Sequence, residues 1–592
     1  MNSSTITQIL AKARQRPRDW TALRYRRRDH WLNINWGELY RLCETLAAAL
    51  ASCGVKPGDR VALMSETRYE WLVADFAIMG MGAVNVPIYQ SQRAEEVAYI
   101  LKDSKASCLL LEDYNQWLKW VQVKDQCPDV KVVALIDGHH ELPEGPLTWD
   151  DLLEHGTEYL KDHPHFYEQA ISRQTGADLA SLVYTSGTTG EPKGVVLTHH
   201  QITSEVQSVL QNIPLTEKDT SLAFLPFAHV LGRIEGWCAV TAGFTVAFAE
   251  NIDRLRNNLV EIKPTVLIAV PRIFEKLHMA IITQVQANPI LHKLFAWALE
   301  IGKMVSRHKQ NGQTVPMSLL AQHAMADRLV FQPLQKKLGG RLRFAVSGGA
   351  PLATEISEFF HAIGILILEG YGLTETTAAI TANTPLHYRF GTVGRPLPGV
   401  DLKLAPDGEI MVKAGQVTPG YHGLPDATAE ALKDGYFYTG DIGEIDADGF
   451  LRITDRKKDL IKTAGGKYVA PQKLENLLKM SPYISQVLIH GDQEKYIVAV
   501  LTLNAEKIVD YAKKNEISYQ DYGMLCQHPQ VKALVRGAVA EVNAQLSGFE
   551  TIKNFAILPR EFTIEAGEIT PSLKVKRKFC SEKYRDLIAS LY

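Results

Sequence analysis

The amino-acid sequence predicts an α/β fold with a large N-terminal domain and a small C-terminal one. Helix and strand patterns alternate over the first 180 residues, which is typical of layered sheets with parallel strands. After about residue 390, short strand-like runs between Gly, Pro and Asp turns indicate a small β subdomain. A lysine-rich stretch begins at Asp455, so we place a boundary between residues 1–455 and a small α/β domain of residues 456–592.

Individual elements follow from apolar periodicity and the turns that flank it. Helices are expected over residues 36–53, 69–79 and 95–103, and strands over residues 60–64, 83–88, 108–111, 130–136, 179–183, 265–270, 341–346 and 363–368. Residues 282–338 are predicted to be mostly helical. The amphipathic stripe in that segment consists of Leu291, Leu294, Phe295, Ala298 and Leu299.

Chain length, net charge and cysteine content limit the classes of protein to which this chain can belong. A chain of 592 residues exceeds the usual size of one hydrophobic core. The net charge of −2 gives no basic footprint for nucleic acid. Seven scattered cysteines without a C-x-x-C pair argue against a disulfide framework or a zinc site and favour a reducing compartment such as the cytoplasm. Neither a secretion signal nor an apolar run of about 18 residues is present, so no membrane span is expected.

Residues 184–195 form the most informative segment, which reads YTSGTTGEPKGV. It leaves a predicted buried strand and combines glycines and hydroxyl residues with Lys193. Glycine lets backbone N–H groups turn toward an anion, and hydroxyls add short donors, so the loop predicts a phosphate site. The spacing differs from that of the Walker P-loop.

Residues with side chains suited to binding a nucleotide or a metal ion also follow other predicted strands. Thr374 and Glu375 follow the predicted strand 363–368 and supply a hydroxyl and a carboxylate, the oxygen ligands that Mg²⁺ prefers. Asp441 lies in a Thr-Gly-Asp triplet, which in isolation is usually a turn. Gly349 and Ala350 follow the predicted strand 341–346, where small residues let a flat ring approach the backbone.

In this order the segments resemble the adenylate-forming superfamily, which comprises acyl-CoA synthetases, peptide-synthetase adenylation domains and luciferases. The resemblance covers almost the whole chain and implies binding of ATP, Mg²⁺ and coenzyme A. It implies ATP contacts for Thr185, Ser186, Gly187, Thr188, Thr189, Gly190, Lys193, Gly349, Ala350, Tyr371, Asp441 and Arg456. Glu375 would be the Mg²⁺ ligand, Thr374 an α-phosphate contact, and His229 would line the entrance for acyl group and thiol.

The same resemblance implies a mobile C-terminal domain. Lys458 matches the hinge position, and Gly465 and Gly466 match the loop that lines the pantetheine tunnel. Lys574 matches the catalytic lysine, although Leu573 replaces the glycine that usually precedes it; Lys576 is the alternative. The helical insertion at about 282–338 is similar to that of long-chain fatty acyl-CoA synthetases. The implied reaction makes an acyl-adenylate from ATP and a medium- to long-chain fatty acid, then transfers the acyl group to coenzyme A.

Three alternatives stay open from the sequence. The chain could be an aryl-CoA ligase, an acyl-AMP ligase that loads a carrier protein, or an inactive protein that binds acyl-adenylate or acyl-CoA. Residues 24–28 are strongly basic. They are expected to form the solvated arm of a hairpin that turns at Asp29 and His30, with contact to the inner face of an anionic membrane as the alternative. The sequence does not indicate the oligomeric state.

Overall fold

The structure is a computed structural model that describes residues 4–138, 145–185, 191–286, 288–570 and 574–592. The expected α/β layering is confirmed by two large sheets in the N-terminal part. One sheet has seven strands, in the spatial order Leu147–Thr148, Val132–Leu135, Ala106–Leu111, Arg60–Met64, Val84–Ile88, Leu179–Thr185 and Lys193–Thr198. Its neighbouring strands are parallel up to Leu179–Thr185, which pairs antiparallel with Lys193–Thr198.

The second sheet has nine strands with antiparallel pairs at its two edges and parallel strands between them. Their spatial order is Arg395–Pro396, Thr381–Ala382, Leu366–Tyr371, Phe344–Ser347, Val266–Ala269, Thr220–Ala223, Thr245–Phe248, Thr21–Arg27 and His30–Asn35. The expected hairpin is present in the last two strands, and it turns at Arg28 and Asp29, one residue earlier than predicted. Arg26 on that hairpin pairs with Glu261 at 2.6 Å.

Smaller sheets complete the chain. The antiparallel β subdomain contains Asp401–Leu404, Glu409–Lys413, Leu432–Lys433, Tyr436–Ile445 and Leu451–Arg456. The C-terminal part has a hairpin of Ile461–Lys462 and Tyr468–Val469, and a three-stranded sheet of Ile484–His490, Ile497–Leu503 and Ile552–Ile557.

Helices cover both faces of the large sheets and both faces of the C-terminal sheet. In the N-terminal part they span Ile6–Ala13, Trp36–Ser52, Tyr69–Gly80, Ala94–Ser104, Tyr114–Val123, Trp149–Asp162, Phe166–Arg173, His199–Asn212, Val230–Ala242, Leu255–Ile262, Pro271–Gln286, Pro289–Gln310, Met317–Ala326, Gln332–Lys336, Thr354–Ala362 and Pro425–Ala431. In the C-terminal part they span Pro471–Lys479, Ala505–Lys514, Tyr522–Gln527, Pro529–Asn543, Arg577–Lys583 and Arg585–Ala589. Short 3₁₀ turns occupy Lys124–Gln126 and Thr374–Thr376, and a π-helical turn occupies Asp327–Phe331.

The predicted helical segment at 282–338 is a group of helices that already begins at Pro271. The helix Pro289–Gln310 buries Phe295 and Ala298 as expected, but its apolar face continues toward Val305, and Leu291 is 47% exposed. Gly302 lets this helix approach its neighbour, because a Cβ there would meet the Ala362 carbonyl oxygen at 2.3 Å.

The C-terminal residues have hydrophobic cores of their own. One buried cluster runs from Ile461 to Ile557 and a second from Leu488 to Leu591, and both consist entirely of residues from Ile461 onward. Within the described ranges of the chain, no helix combines the length and the apolar character that a membrane crossing requires.

Candidate functional site

A cavity of about 2410 Å³ lies where the ends of the sheet strands meet the C-terminal residues. The predicted site residues that line it are Thr185, Lys193, His229, Gly349, Ala350, Tyr371, Thr374, Glu375, Asp441, Arg456, Lys458 and Lys574. Ser186, Gly187, Thr188, Thr189 and Gly190 lie outside the described residues. Gly465 and Gly466 are exposed at the turn of the hairpin Ile461–Lys462 and Tyr468–Val469, away from the cavity lining.

Asp441 is the centre of one polar cluster. The antiparallel register of the β subdomain places it opposite Arg456, whose Nε lies 3.2 Å from Asp441 Oδ1. The hydroxyl of Tyr371, at the end of its strand, donates to Asp441 Oδ2 at 2.6 Å. Burial raises the pKa of Asp441, and Arg456 and Tyr371 oppose that rise. The cluster therefore fixes a carboxylate as an acceptor in the cavity wall.

Glu375 is the centre of a second cluster. It lies in the 3₁₀ turn Thr374–Thr376, and Tyr421 donates its hydroxyl to Glu375 Oε1 at 2.9 Å. Lys193 Nζ lies 5.0 Å from the centroid of the Tyr421 ring, a cation–π geometry. Burial raises the pKa of Glu375, while Tyr421 lowers it. Tyr421 thus joins the loop lysine to the carboxylate, a connection that no local motif indicated.

Lys574 extends toward Asp441 and Arg456 from the C-terminal part. Lys574 is exposed within the cavity. Desolvation by the surrounding protein and the charge of Arg456 together lower its pKa to about 8, while Asp441 opposes the shift. The Lys574 backbone is anchored, since its carbonyl accepts the Thr570 N–H at 2.8 Å. Lys576, the alternative, instead has its Nζ 3.7 Å from Glu96 Oε1. Of the two lysines, Lys574 is the one whose charge is coupled to the Asp441 cluster.

His229 caps the helix Val230–Ala242, since its Nδ1 accepts the Leu231 N–H at 3.0 Å. With Nδ1 acting as an acceptor, the ring proton lies on Nε2. Burial lowers the pKa of His229 to about 4, and Lys574 contributes to that shift. The imidazole is therefore neutral at physiological pH and is held in one orientation.

Gly349 and Ala350 follow the strand Phe344–Ser347 at the cavity edge. Gly349 has φ +81°, a left-handed conformation that favours glycine, while a Cβ there would make only ordinary contacts with Leu231 and Val270. Backbone conformation, and not crowding by protein atoms, is the reason for glycine at this position.

Two family models match the chain. The one described as AMP-binding enzyme matches residues 10–422, and the one described as AMP-binding enzyme C-terminal domain matches residues 458–592. The chain is 39% identical to the long-chain-fatty-acid–CoA ligase FadD15 of Mycobacterium bovis, over 95% of this chain and 92% of that protein. It is 31% identical to the peroxisomal long chain acyl-CoA synthetase 7 of Arabidopsis thaliana, over 94% of this chain and 81% of the other.

Solved structures share the fold. The anthranilate CoA ligase AuaEII in complex with anthranoyl-AMP superposes with a TM-score of 0.74 at 20% identity, covering 100% of this chain and 99% of that chain. The Mycobacterium tuberculosis fatty acyl CoA synthetase gives a TM-score of 0.62 at 22% identity, covering 98% of each chain. With a family model spanning residues 10–422 and relatives above 30% identity along most of the sequence, the chain belongs to the AMP-binding enzyme family.

Proposed function

We propose that this protein is an acid–thiol ligase that uses ATP to activate a medium- to long-chain fatty acid as acyl-AMP and passes the acyl group to coenzyme A. The observation that carries the proposal is the convergence of Glu375, Asp441, Arg456 and Lys574 on one cavity. The relatives named as long-chain-fatty-acid–CoA ligase and long chain acyl-CoA synthetase support the choice of acid and of thiol.

The first half-reaction brings a carboxylate to a polyanion, so positioning and charge neutralisation supply most of the catalysis. Asp441 accepts from the ribose hydroxyls, and Gly349 and Ala350 lie against the adenine. Lys574 holds the acyl carboxylate against the α-phosphate. The carboxylate attacks the α-phosphorus and pyrophosphate leaves. Lys193 binds the departing phosphates.

Mg²⁺ fits the donor set at Glu375. In the described part of the chain, no group of three or more His, Cys, Asp and Glu side chains is arranged to hold a metal. Mg²⁺ does not require such a cage, because it is commonly bound through one or two carboxylates plus substrate phosphates and water. Glu375, with the Thr374 hydroxyl beside it, would hold the ion, which supplies positive charge to the phosphates.

The second half-reaction requires a different arrangement, since a thiol must reach the acyl-adenylate. The C-terminal residues have their own hydrophobic clusters, and their polar contacts with the N-terminal part include long ones: Arg272 to Ser485 at 3.4 Å, and Lys507 to Thr283 at 3.3 Å. Such an interface makes relative motion the default expectation. Rotation about Lys458 would withdraw Lys574 and bring in the exposed Gly465 and Gly466.

A panel of straight-chain and aromatic carboxylic acids tests the proposal. We expect ATP-dependent pyrophosphate release with fatty acids, increasing with chain length until the apolar part of the cavity is full, since each buried CH₂ contributes about 0.8 kcal/mol. AMP release should require coenzyme A for turnover. A preference for aromatic acids would indicate an aryl-CoA ligase. AMP release that coenzyme A does not stimulate would indicate an acyl-AMP ligase. No turnover with any acid would indicate a binding protein.

The pH dependence of adenylation tests the state of Lys574. The charged form is the active one, and desolvation together with the charge of Arg456 holds the pKa of Lys574 at about 8. Because this pKa lies below the ordinary lysine value, the charged fraction is complete at pH 6–7 and falls as pH rises through 8. We expect kcat/KM for pyrophosphate release to fall about tenfold per pH unit above that point. A profile that stays flat up to pH 10 would contradict the assignment; in Lys574→Ala this limb should be missing.

A further inference from the structure

Two buried glutamates line the cavity away from the groups used by the proposed chemistry. Glu205 lies on the helix His199–Asn212 and Glu235 on the helix Val230–Ala242, and their exposed fractions are 0% and 1%. Burial raises the pKa of the Cys238 thiol, which also lines the cavity. The charges of both carboxyls raise it further, so the three side chains lie close together.

Several polar atoms of this group are buried without a partner. In the described ranges, both carboxyl oxygens of Glu235, Oε2 of Glu205 and the Ser221 hydroxyl make no hydrogen bond of ordinary geometry. Oε1 of Glu205 accepts the Ala379 N–H at 2.7 Å, which anchors that side chain. Buried polar atoms are rarely left unpaired, because losing water without a replacement partner is costly. Because Glu205 and Glu235 line the cavity, a ligand bound there would supply their missing partner.

The surroundings of this group are apolar. Val209, Ile213, Val266, Val346 and Leu368 line the same cavity and belong to one hydrophobic cluster. An unsubstituted alkyl chain would pack against these apolar side chains but would leave the carboxyls unpaired. A chain that carries an oxygen substituent would pack against them and also supply a hydrogen-bond partner for the carboxyls.

Burial also determines the chemical form of the two acids. It raises the pKa of Glu205 to about 8 and that of Glu235 to about 7. The Ser221 hydroxyl lies close enough to Glu235 to oppose part of that rise, although the two groups make no hydrogen bond of ordinary geometry. A protonated carboxyl offers an O–H donor as well as an acceptor, which suits a neutral hydroxyl group.

We propose that Glu235, together with Glu205, recognises a hydroxyl group on the alkyl chain, so that the preferred acids are hydroxylated fatty acids. This inference rests on the proposed acyl-activating function. Glu235 follows His229 by six residues, or about 9 Å along the helix axis. His229 marks the entrance for the acyl group, so the recognised hydroxyl lies in the interior of the chain and not next to the carboxylate.

Pyrophosphate release should be compared for saturated acids of one length that carry no hydroxyl or a single hydroxyl at successive positions. We expect the full-length enzyme to favour one interior hydroxy acid by about tenfold in kcat/KM, the size of one net hydrogen bond. Glu235→Met keeps similar volume without polar atoms and should bring the ratio to one or below. Glu235→Gln retains hydrogen-bonding capacity and should keep most of the preference.

Glu261→Met, on the surface helix Leu255–Ile262, is the matched control and should leave the ratio of the two acids unchanged. Equal kcat/KM for all acids in the unmodified enzyme would overturn the inference, as would a hydroxyl preference that survives Glu235→Met. If Glu235→Met fails to fold, the unmodified enzyme and Glu235→Gln still decide the question. Failure of the unmodified enzyme to activate any acid would instead refute the proposed function itself.

Discussion

Replacing Lys574 by alanine should lower the rate of acyl-adenylate formation by about 10²–10³-fold, the usual cost of removing one group that stabilises developing charge. The lysine is the C-terminal cation whose charge is coupled to both Asp441 and Arg456. Without it, two anions must meet with one fewer positive charge between them. Thioester formation from supplied acyl-adenylate should continue, because the proposed rotation of the C-terminal domain withdraws the lysine in that half-reaction. Pyrophosphate release and acyl-CoA formation, assayed separately, measure the two effects.

Lys576→Ala is the matched control for this experiment. Lys576 lies two residues away on the same segment, but its Nζ faces Glu96 at 3.7 Å and its side chain is 30% exposed. A partly exposed ion pair of this kind contributes little, so adenylation should stay within a few-fold of the unmodified rate. If Lys576→Ala caused the large loss and Lys574→Ala did not, the catalytic role would belong to Lys576. Equal loss of both half-reactions in Lys574→Ala would refute the proposal that Lys574 acts only in adenylate formation.

Much of the fold could be predicted because apolar periodicity is a local property. The strand Arg60–Met64 was predicted with its exact bounds, and most other elements within a few residues. The strand predicted at 363–368 begins only at Leu366, because Gly364 adopts φ +88° and ends the preceding helical segment in a turn. Leu291 shares the helix face of Phe295 and Val305, as predicted, but it lies in the first turn of the helix and is 47% exposed.

The same distinction between local and long-range information applies to the candidate site. The residue types around Glu375 suggest its chemistry directly, whereas the roles predicted for Asp441 and Lys574 depend on the resemblance to the family. Tyr421 was missed because its role depends on long-range contacts, with Glu375 at 2.9 Å and with Lys193 across its ring. Glu235 was missed for a different reason: in sequence it is one charged residue within a helix, and only the fold removes its partners and buries it.

Replacing Lys458 by proline should have the opposite effect to Lys574→Ala. Lys458 is exposed in the turn after the strand Leu451–Arg456. Within the described ranges its N–H makes no hydrogen bond, whereas the Asp459 and Leu460 N–H groups both donate to the Arg456 carbonyl at 3.0 Å. Proline therefore removes no backbone hydrogen bond here, but it fixes φ near −65° and restricts the preceding residue. A turn that must rotate would be held in one conformation.

Adenylation by Lys458→Pro should stay within a few-fold of the unmodified rate, because Lys574 already lies beside Asp441 in this conformation. Thioester formation should fall by about 10²-fold or more, since misplacement of reacting groups by an ångström already costs that much. Lys458→Ala, which keeps the turn flexible, should retain both half-reactions. Thioester formation at the unmodified rate in the proline variant would mean that the C-terminal domain need not rotate here. Loss of both halves would mean that the turn supports the adenylation geometry and is not a hinge.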